Sequence, residues 1–385
     1  MMKNTKPIKV VTIVGTRPEI IRLSEIIKLL DIYVDHVLVH TGQNYDYELN
    51  AVFFNDLGIR KPNYFLNVNT SSIGTVYGET IIKSEEIFYK EKPDAVLILG
   101  DTNSSIACII AKRLRIPIYH MEAGNRSFDL NVPEEINRRV IDHIADLNLV
   151  YTENARRHLL AEGLPHRRIY VTGSPMFEVL KQYQDKIEKS NVLKTLSLQK
   201  EKYFIVSTHR EENVDDPNNL RKIVTILNQL AEEYDVPVIV STHPRTRKRL
   251  KLLEEITIDN RIKYLKPFGF LDYIYLQKNA ICAISDSGTI SEESAILNFP
   301  AITIRESMER LEAIDAGTII LSGLNPEIVL EAVKLAVDEH KVCKNTQITP
   351  EYQVNNTSWR VLKTILGTAK LSNKWWGITN SWKVI

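Results

Sequence analysis

The sequence predicts an α/β protein of two doubly wound domains with parallel sheets, and three observations predict it. Short, nearly continuous apolar runs rich in Val and Ile recur, each ending in a Gly or polar loop and followed by a helix-patterned stretch. The series breaks once, at the Lys-rich, strandless interval from Met176 to Lys202, and then resumes. At 385 residues the chain is longer than one hydrophobic core usually serves and suits two.

In the first half the strands read KVVTIVG, HVLVHTG, AVLILGD, IPIYHMEAG, LNLVYTE and RIYVTGS. Strands covered by helices on both faces lose the alternation of half-exposed ones, so the runs are apolar throughout. After Thr102, SSIACIIAKRL reads as a covering helix that turns Lys112 and Arg113 to solvent. Beyond Gly173-Ser174-Pro175 the pattern becomes polar and helical, which marks a domain boundary with its connecting helix. The second set of strands is YFIVSTH, VPVIVSTHP, IKYLKP, AICAISD and PAITIRE. One of its helices begins at Asp216-Pro217, Asp as cap and Pro at the first position, and runs through LRKIVTILNQLAEEY. The expected bounds are 1–173 for an N-terminal domain, 174–356 for a C-terminal domain and 357–385 for a Trp-rich tail. In that tail Trp359, Leu362 and Leu366 share a helical face expected to pack back on a domain. The carboxyl ends of both sheets are expected to line one cleft.

Composition narrows the function classes. Lys and Arg number 49 against 48 Asp and Glu, so a net charge of +1 offers no bulk attraction for nucleic acid or an anionic membrane. An anionic ligand therefore needs a local site. Cys108, Cys282 and Cys343 are far apart, two of them in apolar strings, which fits buried thiols in a reducing compartment. The run IKVVTIVG is too short for a signal sequence, and no stretch approaches the ~18–20 apolar residues of a membrane span. The expected location is the cytoplasm.

The densest chemistry lies between Asp94 and Asp146. Asp101, Glu122, Glu134, Glu135 and Arg138 fall at strand ends and at one helix start, where α/β proteins place reactive groups. Glu134 and Arg138 are four apart, a spacing that fits a surface ion pair worth ~0.3–0.5 kcal/mol as well as a pair aimed into a cleft. At the first strand-to-helix turn, Gly15-Thr16-Arg17-Pro18-Glu19 can put Arg17 on a phosphate, or can be a plain helix start with Thr16 as cap. Ser285 to Glu293 follows a strand and opens a helix, so Ser287, Gly288 and Thr289 can receive a diphosphate and Glu293 a ribose. The competing reading is a capping box of Thr289 with Glu292. His209-Arg210 and His243-Pro244-Arg245 end two strands of the second half and can neutralise a departing phosphate. His120, Glu122 and His143 evoke a metal site, but the Pro-Cys-x-x-Cys that zinc deaminases need with His-x-Glu is missing. No Gly-x-Gly-x-x-Gly follows the first strand, and no Walker A motif or Tyr-x-x-x-Lys pair occurs, which counts against nicotinamide enzymes and P-loop kinases.

Taken in order, GTRPE, GDTNS, HMEAGNRS, PEEINRR, THRE, THP and SDSGTISEE resemble the non-hydrolysing UDP-N-acetylglucosamine 2-epimerase family, over roughly residues 8 to 340. The resemblance implies two Rossmann-like domains in a glycosyltransferase-B-like arrangement, a homodimer, a UDP-sugar substrate, and no redox cofactor or metal. It makes Asp101, Glu122 and Glu134 the acid/base carboxylates, supported by Arg138, with His209 at the diphosphate. Arg17, Arg22, His243, Ser287, Gly288, Thr289, Glu293 and Arg310 would bind UDP. Arg22 stands where the family has lysine, and Thr289 where it has a second glycine. Gln43-Asn44-Tyr45-Asp46 replaces a Gln-His-Arg segment tied to activation by UDP-N-acetylglucosamine, so that regulation is not implied. TGQNYDYELN, MEAGNRSFD and the Trp-rich tail are more similar to a branch acting on UDP-2-acetamido-2,6-dideoxy-hexoses, en route to N-acetyl-L-fucosamine or similar capsule and O-antigen sugars. Asn125-Arg126-Ser127, beside Glu122, is the expected place of sugar choice. A glycosyltransferase of the same fold, a hydrolysing 2-epimerase and a sugar-nucleotide-binding protein are the competing readings.

Overall fold

The computed structural model describes residues 8–42, 54, 56–253, 257–343 and 348–378. Two all-parallel sheets carry the architecture. The first holds β1 (Lys9–Val14), β2 (Asp35–His40), β3 (Tyr64–Phe65), β4 (Ala95–Leu99), β5 (Ile118–Met121), β6 (Leu147–Val150) and β7 (Ile169–Val171), in the order β3-β2-β1-β4-β5-β6-β7. Val11 pairs with Val37 on one side and Val96 on the other. These side chains, with Ile13 and Ile98, are buried under Phe88, Cys108, Ala111 and Ile141 from the covering helices. Each such aliphatic side chain contributes ~1.5–3 kcal/mol by leaving water, which is why this sheet needs the apolar runs seen in the sequence.

The second sheet holds β8 (Phe204–Ser207), β9 (Val238–Ser241), β10 (Ile262–Leu265), β11 (Ala283–Ser285), β12 (Ala301–Thr303) and β13 (Ile320–Leu321), in the order β10-β9-β8-β11-β12-β13. Val206, Val240, Ile284 and Ile302 form its core with Ile223, Leu227 and Leu230 of the helix Pro217–Tyr234 and with Val329 and Val333 of the helix Pro326–Val342. Asp216 caps the former helix as expected, its carboxylate accepting from the amide of Asn218 at 2.7 Å. In both sheets the chain steps outward to one edge and then returns beside its starting strand. The strand order therefore reverses between β1 and β4 in the first sheet and between β8 and β11 in the second. In open parallel sheets that reversal is where ligands bind.

Each expected strand is present, and β3 and β13 are additional. Both are two-residue edge strands, too short to show a hydrophobic period. The chain divides into two units, residues 1–180 with 353–385, and residues 181–352. It thus passes from the first unit to the second inside the helix Met176–Glu188, where the sequence placed a bound at 173. Among the described residues no helix is long and apolar enough to cross a membrane.

The tail returns to the first unit. Thr357 donates to the carbonyls of Thr172 and Ser174, both at 3.2 Å, and the Ser358 amide donates to Glu178 at 2.9 Å. The buried face of the helix Thr357–Thr368 is Thr357, Ser358, Val361, Leu362 and Ile365. Of the expected stripe only Leu362 lies inside, while Trp359 and Leu366 stay about two-fifths exposed, at 39% and 43%, because the i, i+3, i+4 line runs through Ser358, Val361, Leu362 and Ile365. Trp359 leans on Tyr33, with ring centroids 5.4 Å apart. Trp376 lies under the buried guanidinium of Arg168, 3.9 Å from the ring centroid. Trp382 lies outside the described residues.

Gly173, at φ +82°, marks this return, for a Cβ there would come within 2.6 Å of the Val354 Cβ. Gly173→Ala is expected to cost about 2 kcal/mol or more, from the left-handed backbone and the clash together. Urea denaturation checks this. Val354→Gly in the same chain, which removes the Cβ as well as the two methyls, is expected to relieve the steric part and leave the backbone part, so additive losses would contradict the account.

Candidate active site

At the switch point of the first sheet the loops after β1 and β4 are joined by one buried carboxylate. Glu19, in the first turn of the helix Arg17–Tyr33, accepts from the amides of Gly15 and Thr16 at 2.7 and 2.6 Å. Its other oxygen accepts from the hydroxyls of Thr102 and Ser104 at 2.7 and 2.6 Å. Burial pushes the Glu19 carboxyl above its usual range, against the opposing pull of these donors. The same turn puts Arg17 at the first helical position, half-buried. The cap reading of Thr16 holds, since its box with Glu19 is present, and Arg17 follows it directly as the first helical residue.

One strand end further along, Gly100 (φ +70°) and Glu122 (φ +64°) both turn through the left-handed region. For glutamate that backbone costs of order 1–2 kcal/mol and needs outside support. The buried guanidinium of Arg22 supplies part of it by pairing with the Glu122 carboxylate. Asp101 is one-fifth exposed and receives Arg138 on a single oxygen, from Nη2 at 2.6 Å and Nε at 2.9 Å. Nη1 of Arg138 goes to Glu135 at 2.8 Å, so one guanidinium spans two carboxylates. Burial pushes Glu135 up, but the Ser127 amide and the Arg138 and Arg139 guanidiniums outweigh it and hold the carboxyl below its usual range. The Asp101 backbone is fixed as well, its carbonyl accepting from Asn137 at 2.9 Å, and Asn137 is in turn held by Tyr77. Glu134 stands half-buried at the second position of the helix Pro133–Ile144, where the helix dipole favours negative charge.

The second unit repeats the device with other chemistry. Asp286, fully buried after β11, accepts from the amides of His209 at 3.0 Å and Arg210 at 3.1 Å and from Asn213 at 3.0 Å. Its other oxygen lies 3.2 Å from Nδ1 of the partly exposed His209 ring. His243 caps the helix Pro244–Leu250, accepting from the Arg245 amide at 3.3 Å, and its ring lies 6.4 Å from that of His209. Arg245 itself pairs with Asp215 and Glu211, both at 2.5 Å. Beneath the loop, Arg310 donates to the Gly288 carbonyl at 2.8 Å and meets the buried Glu292 at 3.2 Å. Arg210 and Arg305 both reach Glu309. Ser287 and Thr289 hydroxyls lie 3.0 Å apart, and Glu293 accepts from Gln277 at 2.8 Å.

A sequence profile of the family described as UDP-N-acetylglucosamine 2-epimerase matches residues 30–366. The chain belongs to this family. By that membership it is an isomerase. The UDP-N-acetylglucosamine 2-epimerase structure from Rickettsia bellii is 51% identical, covering 95% of this chain and 98% of that one at a TM-score of 0.89. The Methanocaldococcus jannaschii UDP-GlcNAc 2-epimerase, solved in complex with UDP-GlcNAc and UDP, is 37% identical over 93% and 99% of the two chains, with a TM-score of 0.87. The UDP-2,3-diacetamido-2,3-dideoxy-D-glucuronate 2-epimerase of Pseudomonas aeruginosa is 32% identical over 86% of this chain and 92% of its own. The family's members therefore carry more than one sugar in their names.

Within this family member, Asp101, Glu122, Glu134 and Arg138 gather at neighbouring strand ends and one helix start of the first unit. His209, His243, Ser287, Gly288, Thr289, Glu293 and Arg310 gather at the corresponding end of the second. Arg22, expected among UDP contacts, is buried against Glu122 instead. The Thr289 capping box does not form, since Thr289 makes no side-chain cap bond and Glu292 turns to Arg310. Arg126 is unable to choose a sugar, because it is buried between Asp142 and Glu162; Ser127 is taken by Glu135. Asn125, 3.5 Å from Glu122, remains of that trio. His120 and His143 do not converge, His120 being enclosed beside Asp142 and His143 bonding the Arg139 carbonyl. Gln43–Asp46 lies outside the described residues.

Glu19 and Asp286 escaped the sequence reading as organisers. The signal for Glu19 was present: Thr16 with an acid three residues on is a capping box, and that box forms. Its raised pKa gives a test with a definite sign. A carboxyl bound more tightly by protons in the folded state contributes stability below its unfolded pKa and loses it as pH rises through the folded value. Glu19→Gln keeps an acceptor for the two amides and offers a donor to the two hydroxyls. Its stability relative to the parent chain, from denaturant curves, is therefore expected to rise as pH climbs from 4.5, and a flat difference would rule out the raised pKa.

Proposed function

We propose that the chain is a non-hydrolysing C2 epimerase of a UDP-2-acetamido sugar, acting by anti elimination of UDP and readdition through a 2-acetamidoglycal. The observation that carries this reading is the pair of carboxylates at adjacent strand ends, each with its own guanidinium: Asp101 on Arg138 and Glu122 on Arg22. The C2 hydrogen of a sugar nucleotide is not next to a carbonyl, so its removal must be coupled to a leaving group. One carboxylate takes the C2 proton, the C–H electrons form the C1–C2 double bond, and the C1–O bond breaks with its electrons passing to UDP. In the return step a second acid delivers a proton to the opposite face of C2 as UDP adds back to C1. Two positioned acid/base groups and stabilisation of the diphosphate are thus both required.

Asp101, Glu122 and Glu134 are assigned the proton transfers, with Arg138 and Arg22 holding the Asp101 and Glu122 carboxylates in place. His209, oriented by Asp286, is assigned to the departing diphosphate. Arg17, His243, Ser287, Gly288, Thr289, Glu293 and Arg310 are assigned to UDP. The favoured substrate is a UDP-2-acetamido-2,6-dideoxy-hexose, on the resemblance of TGQNYDYELN and MEAGNRSFD. A cytoplasmic homodimer completes the proposal, supported by the exposed Ile82, Ile109, Ile136 and Val140 on helices that lie side by side over the first sheet.

Turnover in heavy water is expected to place deuterium at C2 of the epimerised sugar without net release of free sugar and UDP. Product that keeps its original C2 hydrogen would sink the elimination route, and UDP accumulating in step with product would move the chain to the hydrolysing class. A panel of UDP-N-acetylglucosamine, UDP-N-acetylmannosamine and 6-deoxy UDP-acetamido sugars, followed by proton NMR, decides the sugar. Asp101→Asn and Glu122→Gln are each expected to lower kcat by at least about a hundredfold while UDP still binds. Loss of UDP affinity in calorimetry would reassign either residue to binding.

A further inference from the structure

A buried charged cluster in the first unit takes no part in the chemistry just assigned. His120, the third residue of β5, and Asp142, of the helix Pro133–Ile144, have fully buried side chains. Nε2 of His120 lies 2.9 Å from the carbonyl oxygen of Gly100, and Nδ1 lies 2.9 Å from Oδ1 of Asp142. A carbonyl oxygen only accepts, so Nε2 carries a hydrogen. The Asp142 carboxyl faces the Arg126 guanidinium at 2.7 Å and the Gly124 amide at 3.1 Å, both pure donors, which is the setting of an ionised carboxylate. Nδ1 makes no hydrogen bond of its own but lies 2.9 Å from this anion, where a bare ring lone pair would meet negative charge, so the second hydrogen belongs on Nδ1 as an ion-pair contact. Arg126 ends the chain on Glu162, at 2.7 and 2.6 Å. Two positive and two negative groups alternate, so the buried charges are paired.

The cluster touches both loops that bear the assigned carboxylates. His120 holds the carbonyl of Gly100, the residue before Asp101, and Asp142 holds the amide of Gly124, two residues after Glu122. Both loops contain a left-handed residue, Gly100 and Glu122, and such backbones persist where the surroundings fix them from several sides. We propose that His120 is a buried imidazolium and a positioning residue for the reaction, fixing the Gly100-Asp101 turn directly and the Glu122–Gly124 turn through Asp142. The kinetic half of this rests on the epimerase reading; the charge state does not.

The test uses the full chain with His120→Leu, which fills the volume without donating, and His120→Gln, whose amide can still donate to Gly100. In H120L, kcat is expected to fall about a hundredfold, the scale of a misplacement near 1 Å, with KM for the UDP-sugar and UDP affinity little changed. In H120Q about tenfold of that loss is expected to return. A loss carried by KM, a kcat close to the parent in both variants, or equal losses in both would overturn the positioning role. Should H120L fail to fold, Asp142→Asn takes its place, since it keeps volume and removes the anion, and the same kcat loss is expected. Nitrogen-15 NMR of the parent chain, with the His120 ring assigned by its disappearance in H120Q, is expected to show both ring nitrogens protonated. An unprotonated Nδ1 overturns the imidazolium. If the parent chain turns over no UDP-acetamido sugar, the epimerase reading fails, and the ring spectrum still decides the charge.

Discussion

At the carboxyl end of each sheet a buried carboxylate ties together the two loops that flank the reversal of strand order. Glu19 binds the amides after β1 and the hydroxyls after β4, and Asp286 binds the amides after β8 from its own place after β11. The constraint behind both is the same. Parallel strands point their last amides and their functional side chains toward one end, and amides that leave the ladder there must find acceptors or stay hydrated. A carboxylate held by several donors satisfies them at once, and their hydrogen bonds offset part of the cost of burying it. The rest of each site is built outward from that joint: Asp101 is three residues before Ser104, and His209 contributes one of the amides that Asp286 receives.

The ion pairs around Asp101 and Glu122 are better understood as geometry than as stability. A buried pair recovers little more than the desolvation of its members, whereas removing one partner strands the other at a cost of ~3–5 kcal/mol. Such pairs are therefore poor at adding stability and good at refusing alternatives. Arg138 illustrates the point, because its planar fork meets Asp101 along one edge and Glu135 with the remaining nitrogen, which fixes where the Asp101 carboxylate lies. Glu135 is wholly buried and is spent on that task, while its neighbour Glu134 stays half-buried and accessible. Adjacent acids on one helix turn thus take different roles because the helix carries them to different depths.

Much of this was legible in the residues. Eleven strands announce themselves as apolar runs, and Asp101, Glu122, His209 and the Ser287 loop announce themselves by following those runs. What was not legible depends on side-chain partners across elements. Arg22 lies on the buried face of the helix Arg17–Tyr33 among Ile20, Leu23, Ile26 and Ile27, and a cation in an apolar stripe signals an internal partner, though not which one. That the partner is Glu122, a hundred residues on, is a fact of packing. Arg126 shows the opposite error. Its place in the loop beside Glu122 made it look available, and only the fold reveals that Asp142 and Glu162 enclose it.

The two units reach one architecture with different results, and the difference lies in what stands beside the joint. In the first, the loops flanking Glu19 lead to carboxylates that carry guanidinium partners, an arrangement suited to accepting and returning protons. In the second, the joint orients a histidine: with Nδ1 facing the Asp286 carboxylate, the hydrogen of a neutral ring sits on Nδ1, which leaves Nε2 for the diphosphate contact proposed above. Around it the cations Arg210, Arg305, Arg310 and Arg245 already have carboxylate partners. An anion arriving there meets side chains whose positions are set beforehand, so binding it requires little reordering of long flexible groups. In the elimination and readdition proposed above, a leaving group that departs and returns to the same carbon is served best by groups already positioned in this way.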